Sequence, residues 1–243
     1  MSGHSKWNNI KRKKEKTDGQ KAKVYTKIGR EIAVAVKSGG PDPENNPKLK
    51  DVIAKARANN MPNDNVKRCI DKAAGSQDGD NYEEVVYEGY GPKGVAVIVE
   101  TLTDNRNRTA ADVRHYFDKF GGNLGTTGCV SFMFDKRGVI LIEKTDELDE
   151  EVVMMDALDA GADDFNEEEE FFEILTAWES LPEIRDALEA KGYEFLKAEV
   201  SLLPSTYTSL SDEKDILMMS KLIEHLEDND DVQEIYHNWE NEE

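Results

Sequence analysis

The sequence predicts an α+β protein, in which an N-terminal three-helix domain is followed by two ferredoxin-like α/β modules, one inserted in the other. Apolar residues recur at helical spacing in three successive segments between residues 20 and 75. Residues 137–203 then alternate between strand-like and helix-like segments in the order β-α-β-β-α-β, which is typical of a ferredoxin-like module. The segments on either side of this stretch supply the two halves of the second module.

The three N-terminal helices each place their apolar residues on one side. The apolar side of the first is formed by Val24, Ile28, Ile32, Ala35 and Val36. The second begins with Asn46 as its cap and Pro47 in its first turn, and the third follows Pro62 and closes at Gly75. Residues 1–20 show no apolar periodicity and predict a mobile arm, whereas the polar segment 75–81 predicts a linker.

The rest of the chain alternates between β-branched or aromatic runs and helical patterns. Strands are predicted at 94–101, 129–134, 139–142, 163–166, 171–175, 193–202, 206–210 and 232–236, with a turn at 135–138. Helices are predicted at 106–120, 148–160, 181–191 and 212–227. We therefore expect three domains, which are 1–79, 80–136 plus 204–243, and 137–203.

Charge is unevenly divided along the chain. The net charge of the 243 residues is −20, yet residues 1–75 hold 18 Lys or Arg against 8 Asp or Glu. The remainder holds 13 against 43. A basic end can neutralise phosphates while an acidic body repels them, so this separation favours a nucleic-acid partner over an ordinary solvated surface.

The candidate contacts lie mainly in this basic end. The cations that can approach one phosphate backbone are Lys6, Lys11, Arg12, Lys13, Lys14, Lys21, Lys23, Lys27 and Arg30. Trp7 can stack on a base, although packing is the commoner role of such a side chain. A second candidate is the turn 103–109, where Arg106 and Arg108 open a helix. A cap formed by Asp104 or Asn105 explains that turn without a ligand.

Other chemistries find no support in the sequence. The glycine-rich run 121–128 follows a helix and enters a strand, unlike a nucleotide-binding loop. The acidic runs lack the EF-hand pattern, and the histidines lack zinc-ligand spacing. We expect no cofactor, no metal and no enzymatic activity. The chain has no apolar run long enough for a membrane span, and we expect a cytoplasmic monomer.

Several long blocks resemble the YebC/PmpR family. They are SGHSKWNNIKRKK, GGPDPENNPKL, KARANNMPNDNVKRCI, EGYGPKGVAVIVETLTDNRNRTAADVR, GGNLGTTGCVSFMF and LEDNDDVQEIYHN. The resemblance implies one helical and two α/β domains, and a transcriptional regulator that binds DNA through the arm and through Lys21, Lys23, Lys27 and Arg30. It also adds weight to Arg106 and Arg108.

The same resemblance leaves a second function open. Mitochondrial relatives act as translational activators, and bacterial members are linked to translation at proline-rich stretches. Ribosomal RNA and the ribosome are therefore alternative partners to DNA and the transcription machinery, because an RNA backbone presents the same phosphates. A translation factor is accordingly the second hypothesis for this chain.

Overall fold

The structure is a computed structural model that describes residues 18–75 and 81–240. The predicted arm lies outside these residues, except for its last three positions, which already belong to the first helix. Of the predicted linker 75–81, only the first and last residues are among the described ones.

The described residues form seven α-helices and ten strands. The helices are α1 (Asp18–Gly39), α2 (Pro47–Ala58), α3 (Asn63–Gly75), α4 (Arg106–Lys119), α5 (Glu150–Asp159), α6 (Leu181–Ala190) and α7 (Glu213–Asp228). The strands are β1 (Glu83–Tyr90), β2 (Ala96–Thr103), β3 (Asn123–Leu124), β4 (Phe134–Glu143), β5 (Asp164–Glu167), β6 (Phe171–Ala177), β7 (Lys197–Pro204), β8 (Thr208–Ser209), β9 (Val232–His237) and β10 (Trp239–Glu240). The predicted α+β class, with helices ahead of strand-rich domains, is confirmed.

The three N-terminal helices enclose a small core of their own. Ile28 and Ile32 of α1 pack with Leu49 of α2 and Val66 of α3. Asn46, which is 3% exposed, holds the first two helices together. Its side-chain oxygen accepts from the backbone of Leu49, and its amide donates to two carbonyls at the end of α1. The predicted cap is therefore also a tertiary contact.

A four-stranded antiparallel sheet in the order β3-β1-β2-β9 follows the helical region. The helices α4 and α7 cover one face of it, where Phe117 and Leu222 pack against Val97 and Val99. This sheet, its two helices and α1–α3 belong to one compact unit, whose described residues are 18–75, 81–132 and 206–240.

Residues 133–205 form a second compact unit. Its elements run β4-α5-β5-β6-α6-β7, and its antiparallel sheet has the order β5-β6-β4-β7. Both helices pack on one face of the sheet, as Val153 and Ile184 do against Ile140. That each predicted domain folds independently stays a prediction. Expressing residues 133–205 alone and testing whether they fold would check it.

The predicted strand at 129–134 and the turn at 135–138 are wrong. A single strand, β4, starts at Phe134 and runs through the predicted turn. Gly138 serves close packing there, because a Cβ at this position would lie 2.2 Å from the hydroxyl oxygen of Thr176. The segment before β4 cannot join a ladder through its N–H groups, since the Glu88 carboxylate accepts those of Gly128, Val130 and Ser131.

Two other strands differ from expectation. The sequence pattern predicts no strand at β1, although this strand pairs with β2 along its whole length. Its glycine and its three glutamates are poor strand formers, and only pairing with neighbours supports it. The predicted strand at 206–210 shortens to β8, which pairs with β10 and stands apart from the four-stranded sheet.

We predict that Glu88→Gln lowers the free energy of unfolding by about 2 kcal/mol at pH 7, because the new amide turns a donor towards three backbone donors. Burial raises the pKa of Glu88, but these three N–H groups outweigh it and the net pKa is lowered. The contribution of the carboxylate is therefore full above the ordinary glutamate pKa and is lost as pH falls through the lowered one. Urea unfolding from pH 7 to pH 3 measures this.

The matched control is Glu84→Gln on the same strand, where the side chain is exposed. Its effect should stay within about 0.5 kcal/mol. Equal losses of stability in the two variants at pH 7 would contradict a special role for Glu88.

Candidate nucleic-acid interface

Three of the predicted cations lie on one stripe of α1 and meet the end of α7. We call residues 227–231 the acidic turn. Lys23 pairs with Asp228 at 2.8 Å, and Lys27 donates to the carbonyl oxygen of Glu227 at 2.8 Å. The C-terminal end of a helix carries partial negative charge on its free carbonyls, which favours cations at this place. The acidic turn thus binds the same residues that the sequence assigns to phosphates.

The third cation, Arg30, reaches the most buried part of the acidic turn. Its guanidinium donates to Asp231 Oδ1 at 2.6 Å and to the carbonyl oxygen of Asp230 at 2.7 Å. Its charged group also lies over the ring of Tyr82, at 5.4 Å from the ring centre. With 17% of its side chain exposed, Arg30 is largely withdrawn from solvent.

Asp231 is the centre of this network. The residue is 4% exposed, and its second carboxylate oxygen accepts from Arg108 at 2.8 Å and from the hydroxyl of Thr109 at 2.7 Å. Thr103 donates to the same oxygen at 3.2 Å. Burial raises the pKa of Asp231, but the hydrogen bonds from Arg108, Thr109 and Arg30 exceed this effect and lower it. The group is therefore a carboxylate at neutral pH, shared by two guanidiniums.

Further ion pairs join the helical domain to the sheet. Lys55 of α2 lies 3.3 Å from Glu234 of β9 and 2.9 Å from Glu31 of α1. Lys48 pairs with Glu84 of β1 at 2.9 Å, although both side chains are exposed. Exposed pairs contribute little to stability. The Lys48 pair therefore adds little beside the part-buried Lys55 pair and the buried contacts of Asp231.

The two arginines of the turn 103–109 differ in their ion pairing. Asn105 caps α4 by accepting from the backbone of Arg108 at 3.1 Å. Arg108 bridges Asp104 and Asp231, whereas Arg106 is exposed and has no ion pair within residues 18–75 and 81–240. The capped helix start explains the turn, and Arg106 is the cation it leaves to solvent.

The remaining predicted contacts divide by position. Those that lie outside the described residues are Lys6, Trp7, Lys11, Arg12, Lys13 and Lys14. Lys21 is exposed on α1. Contact of any of the proposed residues with nucleic acid stays a prediction.

Beyond the predicted contacts, the helical domain exposes further cations on α2 and α3. Arg57 at the end of α2 and Lys67, Arg68 and Lys72 of α3 are exposed, and none has an acidic partner in the part of the chain that the structure describes. Helical spacing points to the α3 group, since its three cations lie on the side opposite Val66 and Ala73. The sequence analysis did not select these cations because they lie far along the chain from the dense basic run of the arm.

Among residues 18–75 and 81–240, no group of three or more His, Cys, Asp or Glu side chains is arranged to hold a metal ion. No helix in these two ranges is long and apolar enough to cross a membrane.

Comparison with known proteins gives matches over almost the entire chain. Residues 5–76 match the family model described as the TACO1/YebC protein N-terminal domain, and residues 82–239 match that of the TACO1/YebC second and third domain. A protein of Acetivibrio thermocellus named "Probable transcriptional regulatory protein" is 68% identical over 98% of this chain and 99% of its own length. One of the same name from Ruminiclostridium cellulolyticum is 62% identical, with coverages of 100% and 98%.

A solved structure has the same architecture. The crystal structure of a conserved hypothetical protein from Aquifex aeolicus superposes with a TM-score of 0.84 at 44% sequence identity. The match covers 94% of each chain.

We predict that Asp231→Asn lowers the free energy of unfolding by about 2–4 kcal/mol at pH 7, because two guanidiniums lose the charge they share. The pKa of Asp231 is lowered, so its contribution is full above the ordinary aspartate pKa and fades as pH falls through the lowered one. Urea unfolding measures both. Asp228→Asn, which removes an exposed pair, is the control and should cost under about 1 kcal/mol. Similar losses of stability in both variants would show that the buried Asp231 carboxylate stabilises the fold no more than the exposed Asp228 does.

Proposed function

Because this chain belongs to the TACO1/YebC family, whose relatives are named probable transcriptional regulatory proteins, we propose that it regulates transcription by binding DNA through its basic N-terminal domain. The separation of charge carries the proposal. Residues 1–75 have a net charge of +10 and the rest a net charge of −30. A polyanion is attracted to the first part and repelled by the second, so it has one surface to bind.

The ion pairs of the basic domain support two separate roles for its cations, which are internal ion pairing and phosphate contact. Lys23, Lys27 and Arg30 are bound to the acidic turn, and a phosphate would have to displace carboxylates or carbonyls to reach them. Four exposed cations of α2 and α3 have no ion pair with a carboxylate among the described residues. They are Arg57, Lys67, Arg68 and Lys72. We assign the phosphate contacts to these four and to the lysines and arginines of the arm.

Arg106 is a further candidate phosphate contact, whereas Arg108 has a structural role. Arg106 is exposed at the start of α4, where free backbone N–H groups favour an anion. Arg108 is held by Asp104 and Asp231 and orders the turn that presents Arg106. Contacts of this kind are made to phosphates and read no base sequence, so the binding should depend strongly on salt and weakly on sequence.

We predict that replacing Lys67, Arg68 and Lys72 by glutamine weakens DNA binding and flattens its salt dependence. The slope of log affinity against log salt should fall by up to about 0.9 for each phosphate that the variant no longer neutralises. Fluorescence anisotropy of a labelled duplex, titrated at several salt concentrations, measures this slope. Replacing Arg12, Lys13 and Lys14 by alanine should have an effect of the same kind.

The matched control replaces Lys119, Lys214 and Lys221 by glutamine. These lysines are exposed on α4 and α7, and their replacement changes the net charge by the same amount. The control should retain the slope of the wild-type chain. Equal weakening in control and test variants would mean that only total charge matters and that α3 is no contact surface.

Crosslinking in cells decides which nucleic acid is bound. We predict recovery of promoter DNA with the wild-type chain and its absence with the arm variant. Recovery of ribosomal RNA with little DNA would contradict the regulator and support the translation factor, as would sedimentation of the chain with ribosomes at physiological salt.

A further inference from the structure

The helix α5 carries apolar side chains on its outward surface. Val152, Met155 and Leu158 are 53%, 61% and 48% exposed. They are three of the eight large apolar residues that are exposed in the described part of the chain, and they share one helix of ten residues. Singly scattered apolar residues are normal on a protein surface, but a group on one short helix indicates an interaction site.

These three residues form one stripe, and it faces away from the core. Their spacing of three residues keeps them on one side of the helix. The opposite side bears Val153 and Ala157, which are buried against the sheet of the 133–205 unit. A helix that is apolar on two sides is typical of burial on both. The core side of α5 has its partner within the unit, and the outer side lacks one there.

Acidic residues stand at both ends of the stripe. Glu151 precedes Met155 by four residues and Asp159 follows it by four, so both share its side of the helix. Neither carboxylate has a basic partner in the part of the chain that the structure describes, whereas Asp156, off the stripe, is paired with Lys191. We call Glu151, Val152, Met155, Leu158 and Asp159 the α5 face.

The unit around the α5 face is acidic, like the two carboxylates of the face itself. Residues 133–205 contain 22 Asp or Glu against 6 Lys or Arg. The field of the unit therefore attracts cations over the whole neighbourhood of the face. The face adds an apolar strip on which a suitable partner can bury area.

We infer that the α5 face docks a basic amphipathic helix of another protein. Its apolar stripe would cover Val152, Met155 and Leu158, while one lysine or arginine at each end pairs with Glu151 or Asp159. The two carboxylates are eight residues apart, which corresponds to about 12 Å along the helix, so the partner carries cations about seven or eight residues apart with apolar residues between them. The inference is independent of DNA binding.

Charge separates this partner from other occupants. Nucleic acid and anionic lipid have the sign of the unit and are repelled by it. A second copy of this chain, paired antiparallel through the same face, would place Glu151 opposite Asp159. Only a partner with cations beside apolar residues satisfies both parts of the face.

The probe is a synthetic helical peptide of about 18 residues, with leucines along one side and lysines seven positions apart. It is titrated into the full chain carrying methyl-labelled methionine, and the methyl signals are followed by NMR. We expect a saturable shift of the Met155 signal and none of Met219, which is buried in the other unit. A scrambled peptide of the same composition should bind at least about tenfold more weakly, because it lacks a stripe.

Variants then test the face itself. Val152→Gln combined with Leu158→Gln should weaken peptide binding about tenfold, whereas Leu217→Gln, at an equally exposed leucine of α7, should not. Glu151→Gln combined with Asp159→Asn should reduce the dependence of binding on salt. Unchanged thermal unfolding midpoints verify that each variant is folded, and the charge pair provides a second test should the apolar pair unfold.

Three results would overturn the inference. One is a Met155 signal that does not move, and another is equal binding of the scrambled peptide. The third is a dimer in analytical ultracentrifugation that the Val152 and Leu158 substitutions dissociate, which would make a second copy the occupant. Because DNA is absent from these experiments, their failure leaves the proposed function untouched, and failure of DNA binding leaves the α5 face untouched.

Discussion

Asp231 places a charge where little water can reach it, and the surrounding residues are arranged to satisfy that charge. A buried carboxylate is costly unless it is paired and hydrogen-bonded. Arg30 supplies one guanidinium from the helical domain and Arg108 another from α4, while Thr103 and Thr109 add their hydroxyls. One side chain therefore ties α1, α4 and the end of α7 together. Which surfaces of the helical domain remain open to a ligand follows from that attachment.

This attachment sorts the basic residues by role. Cations next to the acidic turn neutralise the chain's own charge, and cations on the outer side of α3 have no acidic partner among the described residues. The same reasoning applies with opposite sign to residues 133–205, where acids dominate and an apolar stripe lies exposed. The basic residues 1–75 are thus suited to a polyanion, and the acidic residues 133–205 are suited to a basic helix.

Sequence reasoning succeeded where the signal is local. The helical periods around Ile28, Leu49 and Val66 correspond to α1, α2 and α3, and the β-α-β-β-α-β order matches the elements of the 133–205 unit. It failed where a distant side chain decides the backbone. Glu88 accepts the N–H groups that a strand at 129–134 would have needed, and Thr176 gives Gly138 a packing role inside a strand.

The sequence by itself determined the helical domain, the α+β class and the separation of charge, because helical period and net charge depend only on the order and kind of residues. Tertiary structure alone decided which basic residues are available to a ligand. Arg30 and Asp231 are 201 positions apart, and no spacing rule connects residues at that distance. Their pairing exists only after the chain has folded, and it distinguishes the cations that hold the protein together from those that face solvent.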